Sequence, residues 1–444
     1  MQRFFLLLLL SVPAYAMPAY ARAACPDLST YYPGNQPDWP GLEQRLAPLL
    51  PECLESSEFF ALHGAAQLNS GQLAAALESL ERALLIEPDN GAARIDYAQA
   101  LYEQGQLFTA LEINAQLLMR TDLPPSLQPL LASRQQSWQA LTRETVYQLD
   151  MLAGYDDNLN GGLDSGQVTL TLSGEPVPLE LNPEFRPIGG PYLNSRLAVR
   201  HSRVTPESQH NWTAEVRSRV SEEQESDLLQ VATFYSFLRP NRGRSWQLNA
   251  GMNHLFFGGA ALFSGTGVNA RYRPESTLRC KPDYGLALQH QLFHQQSRLN
   301  GLESKFAVGF NCPLASASNN GSQQLRVEFG LLHNSELKSG RLGDDRQGWQ
   351  INLDWQLLLP RGVLHAQFNH TRLDDDEGYS ALVANGEERV AKRSFFLLQY
   401  RQPLRFLGYD TSLLLNVYHQ RQRSNIELFA STDTSAEIGI SWAF

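Results

Sequence analysis

This 444-residue chain lacks most of the features that usually betray a function. Beyond its first residues it has no run of 18 apolar residues, which excludes a transmembrane helix of ordinary length. It has no basic stripe: 36 Lys and Arg stand against 46 Asp and Glu, a net charge of −10. No stripe is therefore available to neutralise a phosphate backbone, which argues against a nucleic-acid partner. Its cysteines number four, Cys25, Cys53, Cys280 and Cys312, with no C-x-x-C spacing among them, so neither a redox pair nor a zinc knuckle is indicated. It has no Gly-x-Ser-x-Gly, no metal-type spacing among its ten histidines and no nucleotide-binding motif. The chain reads as a non-enzyme, with no catalytic residues, no metal and no cofactor.

What is present begins with an export signal. Met1–Ala16 carries Arg3, an apolar stretch from Phe4 to Val12, and small residues at Ala14 and Ala16. Ala21-Arg22-Ala23 offers a second site, so cleavage falls after Ala16 or after Ala23. An even cysteine count in an oxidising compartment favours disulfides. A Cys25–Cys53 bridge would tie a Pro-rich segment, residues 24–56, to the helices that follow.

The end of the chain is equally informative. From Ala436 through Ile438, Ile440 and Trp442 to Phe444 every second residue is apolar, while the residues between are small or polar. That period of two is a strand with one greasy and one wet face. It closes a series of about fourteen such segments in residues 143–444, running from Thr145–Asn158, Tyr192–Arg203 and Gln209–Val220 to Tyr409–Arg421 and Thr432–Phe444. An even number of alternating strands ending on an aromatic residue predicts an antiparallel outer-membrane barrel. Pro206, Pro240, Pro274, Pro313, Pro360 and Pro403 fall at alternate turns. Proline ends pairing, so one rim should carry short turns. With a hairpin near Gln296, Cys280 and Cys312 should meet and bridge at that rim.

Between signal and strands, residues 57–142 have a helical period. Gly71 and Gly105 are 34 residues apart, as are Ala76 and Ala110, which is the tetratricopeptide (TPR) length. Two repeats and a connector helix, Ser126–Leu141, form a short α-solenoid. Its concave face would present Glu58, Ala61, Leu68, Ile95, Gln99 and Tyr102. Two readings stay open for these residues: core between helices, or a docking groove for a client or a periplasmic chaperone.

The longest loop, Leu159–Pro191, would plug the lumen or lie over the mouth, and Asp374–Glu387 reads as a solvated acidic loop. Asp156, Asn158, Asn160, Gly161 and Asp164 imitate the start of a calcium loop, but Gln167 stands where the bidentate glutamate belongs. Gly265-Thr-Gly267-Val-Asn-Ala270 imitates a dinucleotide fingerprint inside a strand. His290 and His294 fit lumen- or loop-facing positions.

A signal peptide, a short TPR domain, a first strand carrying Gly154, Tyr155, Asp156, Asn158 and Asn160, and a barrel ending in Trp442 and Phe444 together resemble the surface lipoprotein assembly modifier (Slam) family. The resemblance implies type XI secretion. The chain would be a translocon in the outer membrane passing a client lipoprotein or a soluble haem- or iron-binding protein to the cell surface, with the barrel assembly machinery as a further partner. It carries over no catalytic residues. TPR-bearing exopolysaccharide exporters share the domain order, but usually with more repeats and a single-sign lumen. A porin would gain nothing from a docking domain.

Overall fold

The computed structural model describes residues 24–32, 37–314, 322–405 and 410–444. The signal expected at Met1–Ala23 lies outside the described residues. The chain divides at Leu141 and Thr142 into a helical and a strand unit.

The helical unit comprises α1 (Trp39–Leu46), α2 (Ser57–Asn69), α3 (Leu73–Ile86), α4 (Gly91–Glu103), α5 (Leu107–Leu118) and α6 (Gln128–Ala140). Ser56 and Asn90 cap α2 and α4 by accepting from the N–H groups of Phe59 and Ala93. Each of these helices ends at a glycine in the left-handed region, Gly71 at φ 79° and Gly105 at φ 87°. The closing bonds repeat as well. Gly71 and Gln72 donate to Leu68 and Gln67, and Gly105 and Gln106 donate to Tyr102 and Leu101, a glycine-terminated helix end reproduced one repeat later. Gly64 sits where α2 crosses α3, and a Cβ there would come within 2.6 Å of Leu80. Fully buried Ala98 takes the equivalent place in the second repeat. The counterpart of Leu80 is Asn114, whose buried amide donates to the Leu131 carbonyl at 2.9 Å and to Gln135 at 2.8 Å. That polar exchange docks α6 onto α5. The N-terminal segment joins the core through Leu28, Leu42 and Leu46, and a Cys25–Cys53 disulfide fastens it.

The second unit opens with β1 (Arg143–Asp156). A hairpin of β2 (Gln167–Leu172) and β3 (Glu175–Glu180) rises from the first loop. The wall continues with β4 (Gly190–Val204), β5 (Gln209–Ser221), β6 (Leu228–Asn241), β7 (Arg244–Phe257), β8 (Ala260–Arg273), β9 (Lys281–Phe293) and β10 (Gly301–Leu314). It ends with β11 (Gln323–Glu336), β12 (Arg346–Leu359), β13 (Gly362–Ser380), β14 (Val383–Pro403), β15 (Thr411–Ser424) and β16 (Ser431–Ala443). Leaving aside β2 and β3, fourteen antiparallel strands pair in sequence and β1 pairs with β16, so the barrel is closed.

The registers decide which face is which. Along β11, Leu325, Val327, Phe329 and Leu331 point one way, and Arg326 and Glu328 the other. Phe329 and Leu331 are about half exposed while Glu328 is buried. The apolar set therefore faces outward and the polar set lines the lumen. The outward face is flanked by exposed Tyr147, Trp212, Trp246, Tyr284 and Phe444 at the rim where β1 starts, and by Tyr155 at the other. This is the wall of a membrane-spanning barrel of outer-membrane type.

The six prolines lie at the rim where β1 starts, as does a Cys280–Cys312 disulfide. The opposite rim differs from expectation in two places. The run Asp374–Glu377 lies within β13 rather than in a loop, because Asp375 is buried beside Arg389 at 2.9 Å and Arg346 at 3.4 Å. Paired in this way, its charge does not need bulk water. His290 pairs with Thr266 and Leu302 on the outward face rather than the lumenal one.

Candidate functional site

On the helical unit, Ala61 and Leu68 belong to the core, at 6% and 8% exposure. Glu58 is exposed and accepts from the Tyr32 hydroxyl at 2.6 Å; that contact and burial push Tyr32 up to about 12, burial being the larger cause. Ile95, Gln99 and Tyr102 line α4 half-buried. Tyr102 stacks on Trp138 of α6 at 4.8 Å, and Arg134 reaches both the Ile95 carbonyl at 3.1 Å and the Trp138 ring at 5.4 Å. Asp96 stands beside them; burial raises its carboxyl to about 6 against the opposing pull of the Arg134 charge. Burial likewise lowers Arg134. Asp96, Arg134 and Trp138 were not singled out from the sequence. The spacing Leu131, Arg134, Trp138, one helical face, was the signal for the last two.

The string Gly154–Asn160 sits at the barrel's closing seam. Gly154 is the Cα partner of Glu437. A Cβ on it would come within 2.8 Å of the Tyr192 ring, so glycine clears the path by which Tyr192 crosses β1. The Tyr192 hydroxyl donates to Glu437 at 2.8 Å, as does Asn194, while Asn416 at 2.9 Å and Tyr418 at 3.2 Å donate from the other side. One buried carboxylate thus joins β4, β16 and β15 across β1, and no cation lies within ion-pairing distance among the described residues. Four donors supply the compensation that a buried charge requires.

The rest of the string folds the first loop onto the rim. Asp156 pairs with Arg219 at 3.0 Å and accepts from the Asn158 N–H. The Asn158 amide donates to the carbonyls of Gly162 and Thr432, and that of Asn160 to Glu184 and Arg186. Tyr155 faces outward. The calcium-like string therefore acts as a loop staple, its side chains spent on protein partners. Asp156, Asp157 and Asp433 bring carboxylate oxygens within 4.8 Å of one another. The β2–β3 hairpin is held at the rim by pairing of Leu170 with Val383 at the tip of β14, and by the Thr169 N–H donating to Glu427. At the opposite end Trp442 pairs with Leu149 and Phe444 stacks on Tyr147 at 5.7 Å, which finishes the seam.

The lumen wall from β8 to β11 carries a second polar lattice. Arg326 holds Asp283 through two bonds at 2.8 and 2.9 Å, Arg271 and Lys305 each reach Glu328 at 2.7 Å, and Arg326 bridges to Glu328 at 3.0 Å. Three cations share two carboxylates, so both signs are present and this wall is a strut rather than a single-sign conduit.

Residues 67–133 match the tetratricopeptide repeat family. No curated protein matches the chain. Among solved structures, the anion-selective porin from Comamonas acidovorans is similar over 68% of this chain and 99% of its own, at 11% identity and a TM-score of 0.36. The outer-membrane channel DcaP of Acinetobacter baumannii is similar over 69% and 98%, at 9% identity and 0.35. The Yersinia enterocolitica type III secretion chaperone SycD, solved with a peptide of the translocator YopD, is similar over 22% of this chain and 79% of its own, at 17% identity and 0.21. At these scores the likenesses decide nothing further about this chain.

Proposed function

We propose that the chain is an outer-membrane translocon that passes particular lipoproteins or soluble haem- or iron-binding proteins from the periplasm to the cell surface. One observation carries this reading: a TPR solenoid, a fold that docks polypeptides, ends at Ala140, and the first strand of a closed barrel begins at Arg143. A docking domain and a membrane pore are thus one molecule. In an exported chain of this order, the helical unit is periplasmic and β1 sets out from the periplasm. Holding a client or its chaperone there raises its local concentration at the pore. The resemblance of Gly154–Asn160 to the Slam family points to the client class. The reading assigns the protein no chemistry, and client folding outside the cell supplies the direction.

The test is protease shaving of intact cells with and without the protein. The expected result is that one lipoprotein or haem-binder disappears from the surface while its total amount is kept in the periplasm. If every surface protein stays in place and an exopolysaccharide is lost instead, the chain is a polymer exporter and the reading fails.

A further inference from the structure

The β10–β15 side of the lumen holds a cavity of about 580 Å³ whose lining residues all lie on the inward register. Three of them are arginines: Arg346, Arg389 and Arg393. Glu303 is the one carboxylate lining it. Arg389 is 8% exposed, donates to Asp375 and lies 4.5 Å from the centre of the Phe429 ring. It is rigidly held, yet its Nε has no hydrogen-bond partner, whereas the Arg346 Nε faces the Asp375 carboxylate at 3.4 Å. Asp375 serves both of these cations. Arg393, four residues further along the same face of β14 and exposed, has no carboxylate and no hydrogen-bond acceptor among the described residues. On the β8–β11 wall each of Arg271, Arg326 and Lys305 has a carboxylate partner, although the Arg271 Nε too lacks a hydrogen bond, so Arg393 is what sets the cavity apart.

A buried guanidinium with an unspent donor, next to one with no counter-ion at all, is a preorganised receptor for an oxyanion, because guanidinium N–H groups bind carboxylate and phosphate as a fork. Gln367 adds a neutral amide, while those of Gln350 and Gln422 also line the cavity but already donate to Thr371 and to the Phe429 carbonyl. We infer that this cavity is a lumenal oxyanion-binding site, taking the carboxylate of an acidic polypeptide or a free phosphate, with Arg393 as its unpaired anchor and Arg346 and Arg389 as its fixed wall. The site is a property of the barrel wall and stands or falls independently of the export reading.

The experiment is isothermal titration of the detergent-folded full-length protein with inorganic phosphate and, separately, with hexaglutamate. Variants are Arg393→Gln, Gln367→Glu, which places a negative charge in the cavity without removing a hydrogen bond, and Arg361→Gln as a charge-matched control at the opposite rim. Heat-modifiable gel mobility reports folding of each. At least one oxyanion should bind, weakened about tenfold or more by Arg393→Gln and by Gln367→Glu and unchanged by Arg361→Gln. Tighter binding of hexaglutamate would assign the site to polypeptide carboxylates, and tighter binding of phosphate to a small anion. If neither probe binds, or if binding is the same in Arg393→Gln and Gln367→Glu as in the parent, the inference is overturned.

Discussion

Glu437 is the most informative side chain to perturb. It accepts from four donors at 2.8, 2.8, 2.9 and 3.2 Å, and Glu437, Tyr192 and Asn416 are 6%, 6% and 4% exposed. Truncation to alanine leaves two hydroxyls and two amides facing a gap. A stranded buried donor costs about 1–3 kcal/mol. Re-pairing among the four and water entering from the lumen recover part of this, leaving a loss of about 3–5 kcal/mol. Glu437→Gln keeps one oxygen but turns an N–H₂ toward two donors, and should lose about half as much. In a barrel of this size the alanine variant should melt roughly 5–10 °C below the parent, followed by the heat-induced mobility change on seminative gels. Melting of both variants at the parent temperature would refute the idea that this carboxylate clamps the seam.

Gly154→Ala places a methyl 2.8 Å from the Tyr192 ring and the Ala436 carbonyl. It should cost about 1–3 kcal/mol, with loss of Tyr192 protection in hydroxyl exchange or fluorescence as the check. Asp96 titrates near 6 against about 3.9 unfolded, so its neutral form is the one the fold favours. Its contribution is complete below about pH 4 and is lost as the pH rises through 6. Asp96→Asn should therefore strengthen hydrogen-exchange protection of α4 and α6 in the full chain by about 1–2 kcal/mol at pH 7.5, discounted for residual solvent screening, with no gain near pH 4. Replacing Cys25 and Cys53 by serine opens a bridge spanning 28 residues. The helical unit should lose about 3 kcal/mol, seen as rapid proteolysis within residues 37–56. Cysteines in place of Ala153 and Ile438, Cα partners across the seam, should lock it on oxidation while client export continues; export that stops and returns on reduction would make the seam the gate.

Much of the wall could be read from the chain because a lipid-facing strand writes its environment in alternate letters. Leu325, Val327, Phe329 and Leu331 are apolar since hydrocarbon lies outside them, and the period of two survives any error in the strand ends. The helical repeat was legible for a similar reason, since Gly71 and Gly105 answer a backbone need that no other residue meets cheaply. What could not be read are the partnerships that closure creates. Glu437 looked like one more polar residue in an alternating strand, and its partner Tyr192 lies 245 residues away. Asp374–Glu377 read as a solvated loop because the cations that take Asp375 inside, Arg346 and Arg389, sit on neighbouring strands. Gly154 was visible as part of a string, but its reason, the passage of the Tyr192 ring, appears only once β4 lies beside β1.

These partnerships bear on the path through the barrel. The seam is paired without interruption over the nine positions from Gln148 and Ala443 to Asp156 and Ser435. Tyr147 and Phe444 exchange backbone bonds at 2.8 and 2.9 Å beyond one end, and the Asp157 N–H donates to Thr434 beyond the other. Parting β1 from β16 in hydrocarbon would strand these groups, each at a cost of several kcal/mol, a total on the order of tens of kcal/mol. It would also pull Tyr192 and Asn194 from the carboxylate that holds Asn416 and Tyr418. Folding of a client domain releases about 5–15 kcal/mol, which falls short of that work. The lumen needs no such rupture: the charged lattice on β8–β11 runs on through Lys305 and Gln350 into the cavity that holds the unpaired Arg393, so a polar surface lines it without any strand being parted. For an exporter powered by client folding alone, the physical cost therefore selects the lumen over the seam.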